Sequence, residues 1–179
     1  MLAQELTEQA PVTAWPERLV LTVLVLGVIG LAVWAMWRSW RRRIARQDWV
    51  QVAPMPALDA LPDETFGARY VATVATEDWL DRIAAHDLGM PGRARVGLSP
   101  AGVLIAREGA ADVFLPTELI EDVTTARGMA QEVYEQEGLV AITWRSGDRL
   151  VTTGLRMEGP DDHVAVVSEV SALIGKAEV

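Results

Sequence analysis

The sequence predicts one N-terminal transmembrane helix followed by a mainly-β, α+β domain that a C-terminal helix closes. Three observations predict it. The run Leu19 to Trp37, LVLTVLVLGVIGLAVWAMW, carries no charged side chain, and its one hydroxyl is Thr22. Beyond it, short stretches alternate apolar and polar residues between Gly, Pro, Ser and Asp breaks, the period-two signature of strands. Near the C-terminus, Val166, Val167, Val170, Leu173 and Ile174 repeat instead at helical spacing.

The apolar run spans about 28 Å as a helix, close to the hydrocarbon thickness of a bilayer. In lipid its backbone groups must be satisfied internally, which makes it helical. A cleaved secretory signal carries its positive charge ahead of the apolar region. Here Glu5, Glu8 and Glu17 precede it with Arg18 alone, and Arg38, Arg41, Arg42, Arg43 and Arg46 follow. The positive-inside rule therefore sets the N-terminus outside and the remainder in the cytoplasm, as a retained single-pass anchor of the plasma membrane. Trp15 at one end and Trp34, Trp37 and Trp40 at the other fit interfacial anchors. No ionisable group lies within the span, so nothing in it suggests an ion path or proton relay. The five arginines mark the membrane surface: they block translocation, and each gathers anionic headgroups at about 1 kcal/mol.

The chain divides into an exterior tail (1–18), a transmembrane helix (19–40), a basic juxtamembrane segment and Pro-rich linker (41–64), and a domain (65–179) large enough for one core. Pro54, Pro56 and Pro62 bias the linker toward extended polyproline. It either spaces the domain from the bilayer or lies folded against it. From Gln47 to Val179 ten Lys/Arg stand against twenty-two Asp/Glu, about -12 net, which argues against a nucleic-acid partner. The chain has no cysteine, which excludes disulfides, thiolate metal sites and thiol catalysis.

Within the domain, Phe66–Ala75 alternates and reads as the first strand. Thr76 then caps a predicted helix over Thr76–Leu88, with Trp79, Leu80, Ile83 and Ala84 on one face and Gly89 ending it. Arg93–Leu98 and Val103–Arg107 form a hairpin about the SPAG turn, and Asp112–Leu115 is a short strand ending at Pro116. The ELIEDV core of Leu119–Thr125 fits a strand or a helical turn. Leu139–Trp144 and Arg149–Met157 are strands joined by Ser146–Gly147–Asp148, a composition suited to positive φ. Gly159–Pro160–Asp161–Asp162 starts the final helix, which Gly175 ends.

That order, and above all LVAITWRSGDRLVTTGLRMEGPDDHVAVVSEVSALI, resembles the last strand pair and capping helix of membrane-anchored pleckstrin-homology (PH)-like proteins from high-GC Gram-positive bacteria. The resemblance covers nearly the whole length and rests on layout. It implies a bent antiparallel sandwich of about seven strands, plugged at one end by the last helix. The helix expected between the first two strands departs from the simple PH pattern, as does the lack of tryptophan in the last helix. It also implies two kinds of partner. PH-like sandwiches bind extended peptides along a sheet edge beside the last helix. Those that bind headgroups carry basic residues on the first two strands, where Arg93 and Arg95, with Arg69 before them, match a basic-x-Arg pattern. Alternation puts Arg93 and Arg95 on one face, opposite Ala94, Val96 and Leu98.

Reaction chemistry finds no such support. His86 and His163 lack HExxH spacing, and GxSxG, P-loop and GxGxxG patterns do not occur. The adjacent acids Glu121/Asp122 diverge in a strand, and Asp161/Asp162 cap a helix. The sequence thus points to a non-enzymatic, cofactor-free scaffold presenting a cytoplasmic PH-like domain to a membrane or cytoplasmic protein. The alternatives are an anionic-lipid sensor and an accessory subunit of a transporter or cell-envelope enzyme.

Overall fold

The computed structural model describes residues 15–47, 49–56, 65–130, 132–133, 138–159 and 161–177. The expected exterior tail through residue 14 and the linker over 57–64 lie outside the described residues. The chain forms two compact units, Met1–Arg42 and Arg43–Val179.

The first unit holds most of α1 (Trp15–Ala45), whose 31 residues extend about 46 Å. Its stretch from Arg18 onward is long and apolar enough to cross a membrane, and none of its apolar window is buried. Arg38 lies over the Trp34 ring at 5.6 Å and Arg41 over Trp37 at 4.8 Å. Both pairs are four residues apart, the spacing that brings side chains together on a helix. They set a cationic and aromatic collar after the apolar run.

The second unit is built on β1 (Thr65–Ala75), β2 (Asp78–Arg82), β3 (Gly92–Ser99), β4 (Gly102–Arg107), β5 (Val113–Pro116), β6 (Ile120–Ala126), the small hairpin β7 (Gly128–Met129) and β8 (Glu132–Val133), β9 (Leu139–Ser146), β10 (Arg149–Met157) and α2 (Asp162–Ala177). The main sheet is antiparallel, in the order β5-β4-β3-β1-β10-β9-β6, with β2 added to β1. It curls on itself: Leu115 at one end and Val123 at the other belong to one buried cluster with Val166 and Val170 of α2. This is the PH-like arrangement the sequence predicts, an antiparallel sandwich with a C-terminal helix.

Alternation produces the core directly. Ala94 and Val96 of β3 point inward between exposed Arg93 and Arg95, and Ala68 and Tyr70 of β1 lie on the same inner face. A β-bulge between Tyr70 and Ala72 then shifts the register of β1 against β10. Beyond it, Val71, Ala72 and Val74 join Leu139, Ala141, Met129 and Ala130 in a second, smaller cluster, against which Trp79 packs. Gly154 opposes Ala72 there, and a Cβ on it would stand 2.7 Å from the Met129 sulfur. The Ser146–Gly147–Asp148 turn has Gly147 at φ +59°, as its composition predicts.

The predicted helix over Thr76–Leu88 does not form. Thr76 and Glu77 instead turn the chain into β2, with Ala75 opposite Asp78. The cause lies in unequal strand lengths. β3 pairs only with Thr65–Tyr70, leaving the later part of that edge of β1 open, and β2 fills it with Arg82 opposite Val74. The single apolar face expected at Trp79, Leu80 and Ile83 does not form either: Ile83 joins the main core, Trp79 packs on the smaller cluster and Leu80 is exposed, because unpaired backbone on a neighbour outweighs local propensity. The chain then closes with a 3-10 turn over Ala85–Asp87. Two smaller differences are that Thr117–Leu119 is a 3-10 turn before β6 and that α2 runs past Gly175 to Ala177.

The juxtamembrane segment lies folded against the domain. Gln47 and Val50 are buried, and Trp49 and Val52 pack against the main core. The Gln47 amide oxygen accepts from the Ala84 and Ala85 N–H groups, at 2.7 and 3.1 Å. The Ser146 hydroxyl donates to Gln51 O and accepts from Gln51 N, and Arg149 stacks on Trp49 at 4.7 Å.

Candidate functional site

Two surfaces of the second unit carry binding chemistry. The first is the edge at β6. Among the described residues this strand pairs only with β9, so its other side presents unpaired backbone N–H and C=O groups. Alongside it α2 is held down by Val166 and Val170, fully buried with Ile120 and Val123 of β6. The edge is acidic: Glu121 and Asp122 are exposed, and Glu121 forms an ion pair with Arg145 of β9. At its start the edge runs into a cleft of about 680 Å³, lined among others by Val52, Pro54, Phe114, Leu119 and Arg145. That volume falls in the range that receives side chains of a ligand.

The second surface is the outer face of β10, β1 and β3. Arg69 stands directly opposite Arg93 on one neighbour and Arg156 on the other. Cross-strand partners share a face, with Cβ atoms about 5 Å apart, so the three form a row across three adjacent strands. Arg95 extends it, two residues along β3. All four are exposed. The sequence singled out Arg69, Arg93 and Arg95, and the fold brings them together. It missed Arg156, because only the non-local pairing of the first and last strands places it there. Of the juxtamembrane arginines, Arg43 pairs with Asp81 of β2 at 2.7 Å and donates to Arg82 O, while Arg38, Arg41, Arg42 and Arg46 are exposed.

The buried polar groups serve the scaffold. Tyr70 donates its hydroxyl to Leu88 O at 2.8 Å and meets the Thr73 hydroxyl at 2.7 Å. Thr73 in turn meets Thr153, which accepts from the Trp144 indole N–H. Burial pushes the Tyr70 phenol up to about 12, although Thr73 and the nearby Arg107 guanidinium pull the other way. Arg107 lies 4.8 Å over the Tyr70 ring and donates to the carbonyls of Ala111, Asp87 and His86. It thereby fastens a turn in which His86 and Asp87 both have positive φ, at 53° and 57°. His86 Nε2 lies 3.2 Å from Val50 O and His163 Nε2 lies 3.3 Å from Gly138 O, so each imidazole is engaged with backbone.

The sequence profile of the family described as "Bacterial PH domain-like" matches residues 50–171. Among solved structures, the C-terminal phosphotyrosine interaction domain of APBB2 from mouse superimposes with a TM-score of 0.45 at 11% identity, covering 70% of this chain and 95% of that one. A search of curated proteins returns no match.

Proposed function

The chain belongs to the bacterial PH domain-like family, and on that premise we propose that it is a single-pass membrane protein whose cytoplasmic PH-like domain is a non-enzymatic module for a protein partner. The partner adds an extended segment to the free edge of β6. The carrying observation is that edge itself: a seven-residue strand unpaired on one side among the described residues, flanked by α2 and ending in a cleft of about 680 Å³. Strand addition draws its affinity from main-chain hydrogen bonds and its selectivity from pockets for alternate side chains. The exposed Asp122 and the neighbouring Glu118 favour Lys or Arg in the incoming segment. Tethering supports the same reading, since an anchor confines the module to partners at the membrane and raises their effective concentration.

Site-specific photo-cross-linking of the full chain in membranes tests it. Cross-linkers at Asp122 and Thr124 should trap one protein through one extended peptide, and that peptide should slow hydrogen exchange at the β6 amides. Equal trapping from Glu108, remote in the sheet order, or unchanged β6 exchange with the peptide bound, would refute strand addition.

A further inference from the structure

The cleft at the start of β6 has a wall that no strand of the sheet supplies. Val52, Ala53 and Pro54 of the juxtamembrane segment line it together with Phe114, Pro116 and Leu119 of the domain. Phe114 is almost buried, and Val52, Ala53, Pro116 and Leu119 are half-buried, so the lining is apolar and still open to solvent. Both contributions are fastened. The Ser146 hydroxyl accepts from Gln51 N and donates to Gln51 O, at 2.8 and 3.0 Å. Thr117 donates its N–H to Ala101 O and its hydroxyl to Pro100 O, each at 3.1 Å. The cleft is therefore shaped before a ligand arrives, which lowers the ordering cost of binding. Arg145 on its rim is ion-paired with Glu121, while the exposed Glu118 makes the rim acidic.

Strand direction decides what reaches this cleft. Every pairing in the main sheet is antiparallel, and Leu119 immediately precedes Ile120, the first residue of β6. A segment that continues the antiparallel pattern on β6 ends where β6 begins, so its C-terminal residues enter the cleft. We propose that the cleft is the specificity pocket for that segment, taking a bulky apolar side chain just after the paired stretch, with a Lys or Arg beside it facing Glu118. The inference rests on strand addition at β6 and adds that the juxtamembrane segment is part of the recognition surface. A ligand held by Val52 and Pro54 stabilises the seated segment, and by linkage the seated segment strengthens ligand binding by the same factor.

A random peptide library displayed on phage, selected against the full chain in nanodiscs, supplies the probes. Peptides that slow hydrogen exchange at the β6 amides should carry a bulky apolar residue at the C-terminal end of their alternating stretch. They should slow exchange at Gln51 and Val52 as well. Truncating that apolar residue to alanine should weaken binding about tenfold to a hundredfold, as burial of one large apolar side chain implies. Pro54→Glu, or Ala101→Glu in the turn before β4, should weaken the parent peptide as much and the truncated peptide hardly at all. Both substitutions fall on exposed residues, and an unchanged urea midpoint shows that each variant is folded. Peptides that protect β6 yet tolerate the truncation and both substitutions within about twofold would overturn the pocket and leave strand addition standing. If no selected peptide protects β6, strand addition and the pocket fall together. Disulfide-linked dimers through Ala101→Cys, in a chain with no other cysteine, would overturn the proposal by assigning the cleft to a second copy.

Discussion

Replacing Arg107 with methionine should release the turn that seats the juxtamembrane segment. Arg107 is 7% exposed, stacks 4.8 Å over Tyr70, and donates to Ala111 O at 2.7 Å, Asp87 O at 2.9 Å and His86 O at 3.2 Å. Methionine retains most of the packing and none of the donors. A desolvated cation–π contact contributes about 1–2 kcal/mol. Hydrogen bonds from a charged donor contribute about 1.5–3 kcal/mol each in isolation. All three acceptors belong to exposed residues, so water recovers part of that, and relaxing two left-handed residues returns about 1–3 kcal/mol each. The net cost is about 3 kcal/mol. Urea denaturation of the full chain in mild detergent, read by tryptophan fluorescence, measures it, and hydrogen exchange should show opening centred on Ala84–Met90. A loss below about 1 kcal/mol, with native exchange in that turn, would refute the clamp.

Other consequences follow from the same scaffold. Tyr70 ionises near 12 in the folded chain against 10 when unfolded, so its contribution is intact below pH 10 and is lost as pH rises from 10 through 12. Above pH 10 the unfolded chain sheds that proton first, weakening the fold by roughly 3 kcal/mol in total; Tyr70→Phe should flatten this part of the alkaline denaturation profile. Gln47→Leu strands the Ala84 and Ala85 amides and should cost about 1–3 kcal/mol in the same urea assay, whereas an independent juxtamembrane segment would leave the midpoint unchanged. Gly102 has φ +149°, and a Cβ there would stand 2.1 Å from Leu115 O. Gly102→Ala should therefore lower stability by about 2 kcal/mol or more, with hydrogen exchange rising first along β4 and β5.

The parts of this fold written in local pattern were legible. β3 alternates because Ala94 and Val96 face the core while Arg93 and Arg95 face solvent, and α2 repeats because Val166 and Val170 plug the sandwich. β2 was not legible, because its identity depends on how far β3 reaches along β1, and no window around Trp79 contains that length. The arginine face was legible in three residues out of four. Arg156 lies far from Arg69 in sequence and joins it only through the β1–β10 register. The folded juxtamembrane segment was invisible for a similar reason: Gln47 and Gln51 look like ordinary polar linker residues until Ala84, Ala85 and Ser146 supply their partners.

The most direct test of the account is the membrane topology of the chain. Single cysteines at Thr7 and Glu108, in an otherwise cysteine-free sequence, are labelled with a membrane-impermeant maleimide in intact cells and again after permeabilisation. The account predicts that Thr7→Cys reacts in intact cells and Glu108→Cys only after permeabilisation, with the intact chain sedimenting with the membrane. Labelling of Glu108→Cys from outside, or recovery of the whole chain in the soluble fraction, would contradict it.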